Sequence, residues 1–376
     1  MKKFAAHYIF DGYSLIKNGI LVVSDNGIIL SIEPFLAKKE LAGVEFMNGL
    51  ICPGFINAHT HLELSFLKGK LSPKGGMEHF IQQMKQVNRS VDSQKIEASK
   101  LADREMFDEG IVACGDIVNT DLTFSIKAQS NILYHNFIEL YSLDDLRSDE
   151  IFNQAYKLYK QSNKFNKSIT YHAPYSVSYS LFKKISEHNK LSHDICSIHV
   201  FEAKHEELLI KQWQTGNWKW TKSLSQTILK QIPFENQVLF VHNTFIDDSS
   251  FNFICHNFKQ RAWVLCPNSN MFIENHLPPL HLLLKDMDNI CIGTDSYASN
   301  YRLSILNELK ILSNYFPKIK LIDWLKMATF QGAKALNIQD KYGTFKIGTS
   351  PGVLALMDID LPQLKLTDET YVKRLI

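Results

Sequence analysis

The 376-residue sequence predicts an α/β protein, a (β/α)8 TIM barrel with a small β-sandwich domain assembled from both termini. Two observations predict this fold class. In the middle of the chain, apolar strand-like runs alternate with helical stretches, and at both ends short strands are separated by turn residues. The predicted sandwich comprises residues 1–50 and 340–376, and the predicted barrel comprises residues 51–339. A doubly wound open sheet stays an alternative, because the number of strands alone does not exclude it.

The two terminal segments are both rich in short strands. Strand-like runs lie at residues 20–23, 27–32, 342–348 and 353–359. The Asn-Gly pair at 18–19 and the Asp-Asn-Gly run at 25–27 are favourable hairpin turns. We therefore expect the two ends of the chain to meet in one small sheet domain.

The middle of the chain supplies the expected strands and helices of the barrel. Its strand-like runs lie at residues 51–58, 111–118, 132–140, 168–172, 194–199, 237–242, 262–266 and 289–293. Helical patterns fall between them, for example at residues 148–160, 181–189 and 303–315. Eight strands joined by helical crossovers are the number that a (β/α)8 barrel needs.

Composition indicates an ordinary globular protein with a small-molecule substrate. The chain is 45% hydrophobic and 21% charged, with a formal net charge of +2. No basic stretch interleaves with aromatic residues, so we expect no nucleic-acid partner. No apolar run has the length of a signal peptide or a membrane helix, and the six cysteines are dispersed without a Cys-x-x-Cys pair. We expect a cytoplasmic protein without a membrane partner, and a homodimer is left open.

The strongest chemical signal is a pair of histidines one residue apart. His59 and His61 follow an apolar run, and alternate residues of a strand project from the same face. In a (β/α)8 barrel, catalytic groups cluster at the carboxyl ends of the strands. The predicted strand ends carry His59, His61, His172, His199, His242 and Asp295. Three imidazoles and one carboxylate suit a borderline divalent ion, so we predict one metal ion, Zn²⁺ by preference and Fe²⁺ as the alternative.

Two of the residues near these strand ends, Glu202 and Asp295, are predicted to move protons. Glu202 lies three residues beyond His199 and is expected to face the same pocket as a proton carrier. Each of these, like His242, also has a purely structural interpretation. Glu202 would suit the first turn of a helix, Asp295 would suit a helix N-cap, and His242 could be a hydrogen-bonded histidine that ends a buried strand.

Four residues are predicted to contact the substrate. His172 and Tyr175 flank a rigid proline turn, and Asn268 lies in a run that offers amides and a hydroxyl at the mouth of the barrel. Glu139 ends the third predicted strand and could accept a hydrogen bond from the substrate, with a structural salt bridge as the equal alternative. For Trp213, Trp218 and Trp220, which could form a lid or a dimer contact, aromatic packing is the preferred interpretation.

Taken together, these motifs resemble the amidohydrolase superfamily, in its mononuclear deaminase and chlorohydrolase-like branch. The runs that carry the resemblance are Pro-Gly-Phe-Ile-Asn-Ala-His-Thr-His (53–61), His-Ala-Pro-Tyr-Ser (172–176), His-Val-Phe-Glu (199–202), Val-His-Asn (241–243), Cys-Pro-Asn-Ser-Asn (266–270) and Gly-Thr-Asp-Ser (293–296). The resemblance implies that His59, His61, His199 and Asp295 bind one metal ion.

The same resemblance implies roles for the remaining residues. Glu202 and His242 would be catalytic together with Asp295, and His172 would contact the substrate. Binuclear members of the superfamily carry a lysine at the end of the fourth strand, where this chain has Thr170-Tyr171-His172. A mononuclear site is therefore expected.

The function expected from this resemblance is hydrolytic deamination of an aminated purine nucleoside-type ring. An activated hydroxide would attack the amine-bearing carbon while Glu202 protonates the adjacent ring nitrogen. The run His-Thr-His-Leu-Glu-Leu-Ser (59–65) is similar to aminofutalosine deaminases. One alternative is a mononuclear hydrolase of a C–N or C–Cl bond in another ring, of guanine, cytosine, triazine or imidazolone type. The other is a non-catalytic metal- or ligand-binding barrel.

Overall fold

Strands of three sheets and the helices between them make up the computed structural model, which describes residues 1–34, 42–87, 90–162 and 164–376. The strands are β1 (Lys2–Phe10), β2 (Leu15–Lys17), β3 (Gly19–Val23), β4 (Ile29–Pro34), β5 (Val44–Pro53), β6 (Phe55–Thr60), β7 (Ile111–Val118), β8 (Leu133–Leu140), β9 (Asn166–Tyr171), β10 (Cys196–Val200), β11 (Val238–His242), β12 (Arg261–Leu265), β13 (Ile290–Ile292), β14 (Val353–Met357) and β15 (Tyr371–Arg374).

Helices of the described ranges connect most of these strands. They are α1 (Gly76–Val87), α2 (Asp92–Asp108), α3 (Phe124–Lys127), α4 (Ser148–Gln161), α5 (Tyr179–Ser192), α6 (Glu206–Trp213), α7 (Leu224–Leu229), α8 (Asp248–Asn257), α9 (Pro267–Ile273), α10 (Leu280–Leu283), α11 (Ile305–Tyr315), α12 (Leu321–Ala328) and α13 (Phe330–Ala335). Short 3-10 helices lie at Leu62–Leu67, Asp145–Arg147 and Leu284–Asn289. No helix within the described ranges is both long enough and apolar enough to span a bilayer.

Strands from both ends of the chain share one sheet. Its order is β15-β14-β5-β1-β3-β4, with β2 paired to β1. The expected meeting of the two ends in one sheet is confirmed, and β14 pairs antiparallel with β5 from Val353 opposite Pro53. The second layer of a sandwich and the boundaries of the two domains stay predictions.

Two local predictions in the terminal segments are wrong. The Asn-Gly pair at 18–19 is not a hairpin turn, because β2 and β3 both run antiparallel to β1 and Asn18, at φ 52°, only interrupts them. Residues 342–348 do not form a strand, since they contain turns at Gly343 and Gly348, where φ is 83° and 86°. By contrast, residues 25–27 do connect the antiparallel strands β3 and β4.

Two parallel four-stranded sheets carry the middle of the chain. Their orders are β6-β7-β8-β9 and β10-β11-β12-β13. Seven of the eight predicted strands appear with ends within two residues of the expected ones. The remaining predicted strand, residues 51–58, combines parts of two different strands. Pro53 ends β5 in the terminal sheet, and Phe55 begins β6 in the parallel sheet.

Backbone hydrogen bonds bring the carboxyl ends of the two parallel sheets together. The N–H of His199, on β10, donates to the carbonyl of His172, just after β9, at 2.9 Å. At the other edges, the N–H groups of Thr294 and Asp295 donate to the carbonyl of His59 at 3.0 and 3.1 Å. The strand ends that carry the predicted site residues therefore lie side by side.

Candidate metal and active site

Three histidines meet through the same ring nitrogen. The Nε2 atom of His59 lies 3.2 Å from Nε2 of His61 and 3.1 Å from Nε2 of His199. Asp295 completes the group, with its Oδ1 atom 3.3 Å from Nε2 of His61 and 3.8 Å from Nε2 of His59. The structure therefore brings together all four residues for which a shared metal ion was predicted.

The protonation of these histidines suits metal binding. Burial lowers the pKa of His59 and of His199 below the usual value, and neighbouring imidazoles lower the pKa of His59 further. The Nδ1–H of His199 donates to the carbonyl of His172 at 3.0 Å, which leaves a lone pair on Nε2. The histidines are therefore neutral, which is the form that binds a metal ion.

The spacing of the donor atoms also fits a single ion. A neutral imidazole can donate only one hydrogen bond, so Nε2 of His59 cannot satisfy both neighbouring nitrogens at once. Ligand atoms ~2.0–2.1 Å from one tetrahedral ion lie ~3.4 Å apart, close to the distances within this group. Three imidazole nitrogens and one carboxylate oxygen are a donor set typical of Zn²⁺.

Asp295 is oriented by two hydroxyl groups. Its Oδ2 atom accepts hydrogen bonds from Oγ of Ser269 and Oγ of Ser299, each at 2.6 Å. Burial raises the pKa of this carboxyl, but the His61 and His242 imidazoles and the two hydroxyls together hold it below its usual value. Asp295 is therefore a carboxylate at neutral pH, with Oδ1 facing the histidines.

Glu202 and His242 form a second pair beside this group. Oε2 of Glu202 lies 3.6 Å from Nε2 of His242, and the other oxygen of Glu202 accepts a hydrogen bond from the hydroxyl of Tyr175 at 2.5 Å. Burial raises the pKa of Glu202, so the protonated form is favoured more than in water. Nδ1 of His242 lies 2.8 Å from Oδ1 of Asn270, a contact that assigns the proton to Nδ1 and the lone pair to Nε2.

His172 and Glu139 lie next to the histidine group. The ring centroids of His172 and His199 are 5.0 Å apart, and Nδ1 of His172 contacts Oγ of Ser176 at 2.6 Å. Oε2 of Glu139 accepts a hydrogen bond from Asn119, whereas its Oε1 has no hydrogen-bond partner among the described residues. Oε1 lies 3.6 Å from Nδ1 of His199. Burial raises the pKa of Glu139 well above the usual range.

Tyr175 and Asn268 have surroundings that were not expected. The hydroxyl of Tyr175 is buried and donates to Glu202, so its contact in this structure is with the acid. The backbone N–H of Asn268 donates to Glu308 at 2.8 Å, and its side-chain nitrogen is buried without a hydrogen-bond partner in the part of the chain that is described. The two residues that follow Asn268 make the site contacts instead. Ser269 contacts Asp295, and Asn270 contacts His242.

Residues with a left-handed backbone follow several of these strand ends. Phe201, His242, Asn243 and Asp295 have φ angles of 53°, 74°, 55° and 54°. Such a conformation costs about 1–3 kcal/mol for a residue other than glycine and is often found at functional sites. At Phe201 this turn precedes Glu202, whereas His242 and Asp295 themselves adopt the left-handed conformation at their strand ends.

Sequence reasoning missed the residues that orient the site. Ser269 and Asn270 lay in a run recognised as polar, and Ser299 lies four residues after Asp295, but none was predicted to hold another side chain. Glu206 was also missed, although its Oε2 atom accepts a hydrogen bond from the N–H of Glu202 at 3.0 Å. The one available signal was closeness in sequence, since Ser299 lies four residues after Asp295 and Glu206 lies four residues after Glu202.

Aromatic packing accounts for the tryptophan segment. The Trp218 ring packs edge-on against Tyr179 at 5.0 Å, and Trp213 packs edge-on against Tyr175 at 5.8 Å. The side chain of Gln214 donates to the carbonyls of Pro174 and Val177 at 2.6 and 2.7 Å. This segment therefore supports the turn that carries Tyr175.

Comparison with known proteins decides the family of the chain. The sequence profile of the amidohydrolase family matches residues 50–368. This chain belongs to the amidohydrolase family. The resemblance predicted from the sequence motifs is confirmed.

This amidohydrolase is similar to deaminases along most of its length. It is 27% identical over 344 residues to a 5-methylthioadenosine/S-adenosylhomocysteine deaminase of Pyrococcus abyssi, an alignment that covers 87% of this chain and 78% of the relative. The similarity to proteins named as deaminases thus extends over most of the chain.

Solved structures of two deaminases share the fold of this amidohydrolase. The aminofutalosine deaminase of Helicobacter pylori, in complex with methylthio-coformycin, matches with a TM-score of 0.81 and 21% identity over 98% of this chain and 94% of that one. An adenosine deaminase from Xanthomonas campestris with bound zinc matches with a TM-score of 0.77 and 20% identity over 97% of this chain and 86% of that one. At these identities the likeness establishes the fold alone.

Proposed function

We propose that this amidohydrolase is a metal-dependent deaminase of an aminated purine nucleoside-type ring. The observation that carries this proposal is the position of the Glu202–His242 pair beside the group formed by His59, His61, His199 and Asp295. The Pyrococcus relative, which is named for 5-methylthioadenosine and S-adenosylhomocysteine, supports a nucleoside substrate. The Helicobacter structure, with methylthio-coformycin bound, supports the same class and includes aminofutalosine among the candidates.

The two parallel sheets would close into the (β/α)8 barrel. The hydrogen bond from His199 to His172 and those from Thr294 and Asp295 to His59 support closure, because they link both pairs of outer strands. The shared terminal sheet supports a separate domain built from residues 1–50 and 340–376, and its strand β5 continues to Pro53. Closure would put every candidate ligand at the carboxyl end of the barrel.

His59, His61, His199 and Asp295 would hold one divalent ion. Zn²⁺ is the preferred ion because the donor set suits it and the Xanthomonas neighbour contains zinc, while Fe²⁺ is the alternative. When bound, the ion supplies Lewis-acid activation of a water molecule near neutral pH. The rest of the chemistry falls to the side chains around it.

Glu202 would supply the proton that the ring nitrogen needs. Its raised pKa keeps a proton on the carboxyl group closer to neutral pH, and Tyr175 holds one oxygen so that the other faces the site. Protonation of the nitrogen next to the amine-bearing carbon makes that carbon more electrophilic. Such a proton transfer contributes about 10²–10⁴-fold to the rate.

His242 and Asp295 would help to remove a proton from the attacking water, and Asp295 would accept it. The lone pair on Nε2 of His242 is the acceptor that Asn270 orients, and Oδ1 of Asp295 is a carboxylate oxygen on the same side. Water would add its oxygen to the ring carbon and give one proton to Asp295. The bond from that carbon to the exocyclic nitrogen then breaks, ammonia leaves with the proton that Asp295 accepted, and the new hydroxyl group becomes the carbonyl by returning its proton to Glu202.

The substrate contacts are proposed on less direct grounds. His172, half-buried beside His199, and Glu139, with its unpartnered oxygen, are positioned to contact the sugar or ring of the substrate. Tyr175 would act through Glu202 rather than by touching the substrate, and a substrate contact for Asn268 stays a prediction.

Ammonia release by zinc-loaded protein tests the proposed function. Substrates would be adenosine, 5-methylthioadenosine, S-adenosylhomocysteine and aminofutalosine. The competing class would be guanine and cytosine, also measured by ammonia, and a chlorotriazine, measured by chloride. We expect ammonia from at least one 6-aminopurine nucleoside and none from Glu202→Gln, which should keep its zinc. Activity on the competing rings alone would show that the proposed substrate class is wrong. The absence of bound metal from freshly purified wild-type protein would support a non-catalytic barrel.

A further inference from the structure

Glu206 is a buried acid whose contacts lead to the active-site acid. It is the first residue of α6, is only 4% exposed, and its Oε2 atom accepts a hydrogen bond from the N–H of Glu202 at 3.0 Å. The N–H groups of Phe201 and Glu202 both lower the pKa of this carboxyl, as hydrogen-bond donors to a carboxylate do. The side chain thus reaches back from the helix to the turn that follows β10.

This turn needs a contact of that kind. Val200 ends β10, and Phe201 then adopts φ 53°, which is unfavourable for a residue with a side chain. Glu202 follows at once, outside any regular helix or strand. A buried N–H without a partner would cost about 1–3 kcal/mol, and the Glu206 carboxyl removes that cost for Glu202.

We propose that Glu206 is a positioning residue that holds the backbone of Glu202 so that its carboxyl group faces His242 and the reacting ring. This inference rests on the proposed role of Glu202 in proton transfer. Without the hydrogen bond, the turn at Phe201 can relax and displace the carboxyl of Glu202. A displacement of about 1 Å in a reacting group can cost 10²-fold in rate.

The hydrogen bond, and not the charge of Glu206, is the feature that matters. Burial, and then the charge of Glu202, raise the pKa of Glu206 to about 8, so an uncharged side chain is favoured at neutral pH. A glutamine at this position keeps an oxygen acceptor at the same reach. An aspartate keeps the carboxyl group but withdraws it by one methylene.

The next residue along the helix offers a matched control. Glu207 accepts hydrogen bonds from Oγ of Ser223 at 3.1 Å and from the N–H groups of Leu224 and Ser225 at 2.9 and 3.1 Å. It therefore also holds backbone N–H groups, but these belong to the start of α7 and not to the turn before Glu202. If shortening an acid at the start of α6 lowered activity only by disturbing the helix, Glu207→Asp would lower it as Glu206→Asp does.

The test compares Glu206→Gln, Glu206→Asp and Glu207→Asp in zinc-loaded protein with the best substrate of the panel. We expect Glu206→Asp to lower kcat by about 10- to 100-fold with KM and zinc content close to wild type. Glu206→Gln should restore kcat to within about threefold of wild type, because its amide oxygen accepts the same hydrogen bond. Glu207→Asp should leave kcat within about twofold, since α7 contributes no proposed reacting group.

Hydrogen exchange of a peptide that covers residues 200–204 gives a second measurement that does not depend on turnover. Protection should be lost in Glu206→Asp and kept in Glu206→Gln. Wild-type kcat in a folded Glu206→Asp protein, or equal losses in both Glu206 variants, would overturn the proposal. If Glu206→Asp does not fold, the Glu206→Gln variant decides by itself: a low kcat or a loss of protection in that variant would overturn the proposal. A wild-type protein without deaminase activity would instead refute the proposed function, and the exchange data would still report on Glu206.

Discussion

Glu202, His242 and Asp295 are each oriented by at least one further polar residue, whereas Nδ1 of His59 has no hydrogen-bond partner among the described residues. Asn270 holds Nδ1 of His242, and Tyr175 holds one oxygen of Glu202. Hydrogen bonds of this type select one tautomer or one oxygen and keep the other atom available for the substrate or a metal ion. On the proposed mechanism, the reactivity of the site would therefore depend on these orienting residues as well as on the groups that react.

Tyr175→Phe separates an orienting role from a substrate contact. The substitution removes the hydroxyl that donates to Glu202 but keeps the ring that packs against Trp213. We expect kcat to fall by about 10-fold, the cost of one hydrogen bond to a charged group, while KM changes little. Steady-state kinetics across substrate concentrations would check this. A rise in KM at constant kcat would instead favour the substrate contact predicted from the sequence.

Ser299→Ala is expected to weaken metal binding without removing a ligand. The hydroxyl of Ser299 donates to Oδ2 of Asp295, and loss of such an orienting partner costs about 10- to 100-fold in metal affinity. Titration of metal-free protein with Co²⁺, followed by its visible absorption, would measure the dissociation constant. Ser313→Ala, on the outer helix α11, serves as the control and should bind Co²⁺ as wild type does. Equal affinity in both variants would contradict an orienting role.

The reactive residues were predictable because each lies at the end of an apolar strand. His59, His199 and Asp295 could be placed in one site by the rule that parallel strands present their carboxyl ends together. Their orienting partners were not predictable, since the hydroxyl of Ser299 reaches Asp295 and the carboxyl of Glu206 reaches the N–H of Glu202 only because the chain turns sharply at these strand ends. Phe201 carries no sequence signal for its left-handed backbone, and for Asp295 the signal is weak, because aspartate adopts this conformation only occasionally.

At the scale of elements, a buried ion pair links the segment that follows His61 to its neighbours. Lys127, at the end of α3, contacts Asp116 of β7 and donates to Oδ1 of Asn136 on β8 at 2.7 Å. The other oxygen of Asp116 accepts a hydrogen bond from the N–H of Leu62 at 2.7 Å, one residue after His61. The network therefore joins two strands and a helix to the segment that carries a proposed ligand.

Lys127→Met leaves the Asp116 carboxyl buried without its cation. Breaking a buried pair in this way costs about 3–5 kcal/mol in the free energy of unfolding, measured by urea denaturation. The double variant Asp116→Asn with Lys127→Met should recover part of that loss, because no charge is then buried alone. Equal stabilities of the single variant and wild type would show that the pair contributes nothing to folding.

The elements of the parallel sheets were predictable, whereas their junction with the terminal sheet was not. Residues 51–58 are mostly apolar and were read as one strand despite the Pro53-Gly54 pair, yet Gly54 divides them between two sheets. A Cβ atom at Gly54 would lie 2.3 Å from Val112 and 2.7 Å from the carbonyl of Pro351. Only the close approach of these two segments, distant in sequence, makes a change of sheet necessary there.

At the scale of the whole molecule, carboxyl groups buried away from the histidines make stability depend on pH. Glu308 of α11 is fully buried and accepts hydrogen bonds from the N–H of Asn268 and from Nδ2 of Asn300, each at 2.8 Å. Burial raises its pKa from 4.5 to about 8. The folded protein therefore keeps a proton that the unfolded chain releases above about pH 4.5.

Glu308→Gln should remove this pH dependence. Because the folded-state pKa is raised, the contribution of Glu308 to stability is complete below the unfolded pKa and is lost as pH rises towards about 8. Glutamine stays neutral and keeps an oxygen for the N–H of Asn268. Between about pH 5 and about pH 8, the wild type should lose on the order of 4 kcal/mol of unfolding free energy relative to the variant. Urea denaturation of both zinc-saturated proteins across this range would measure the difference, and parallel pH profiles would show that Glu308 is ionised in the folded protein.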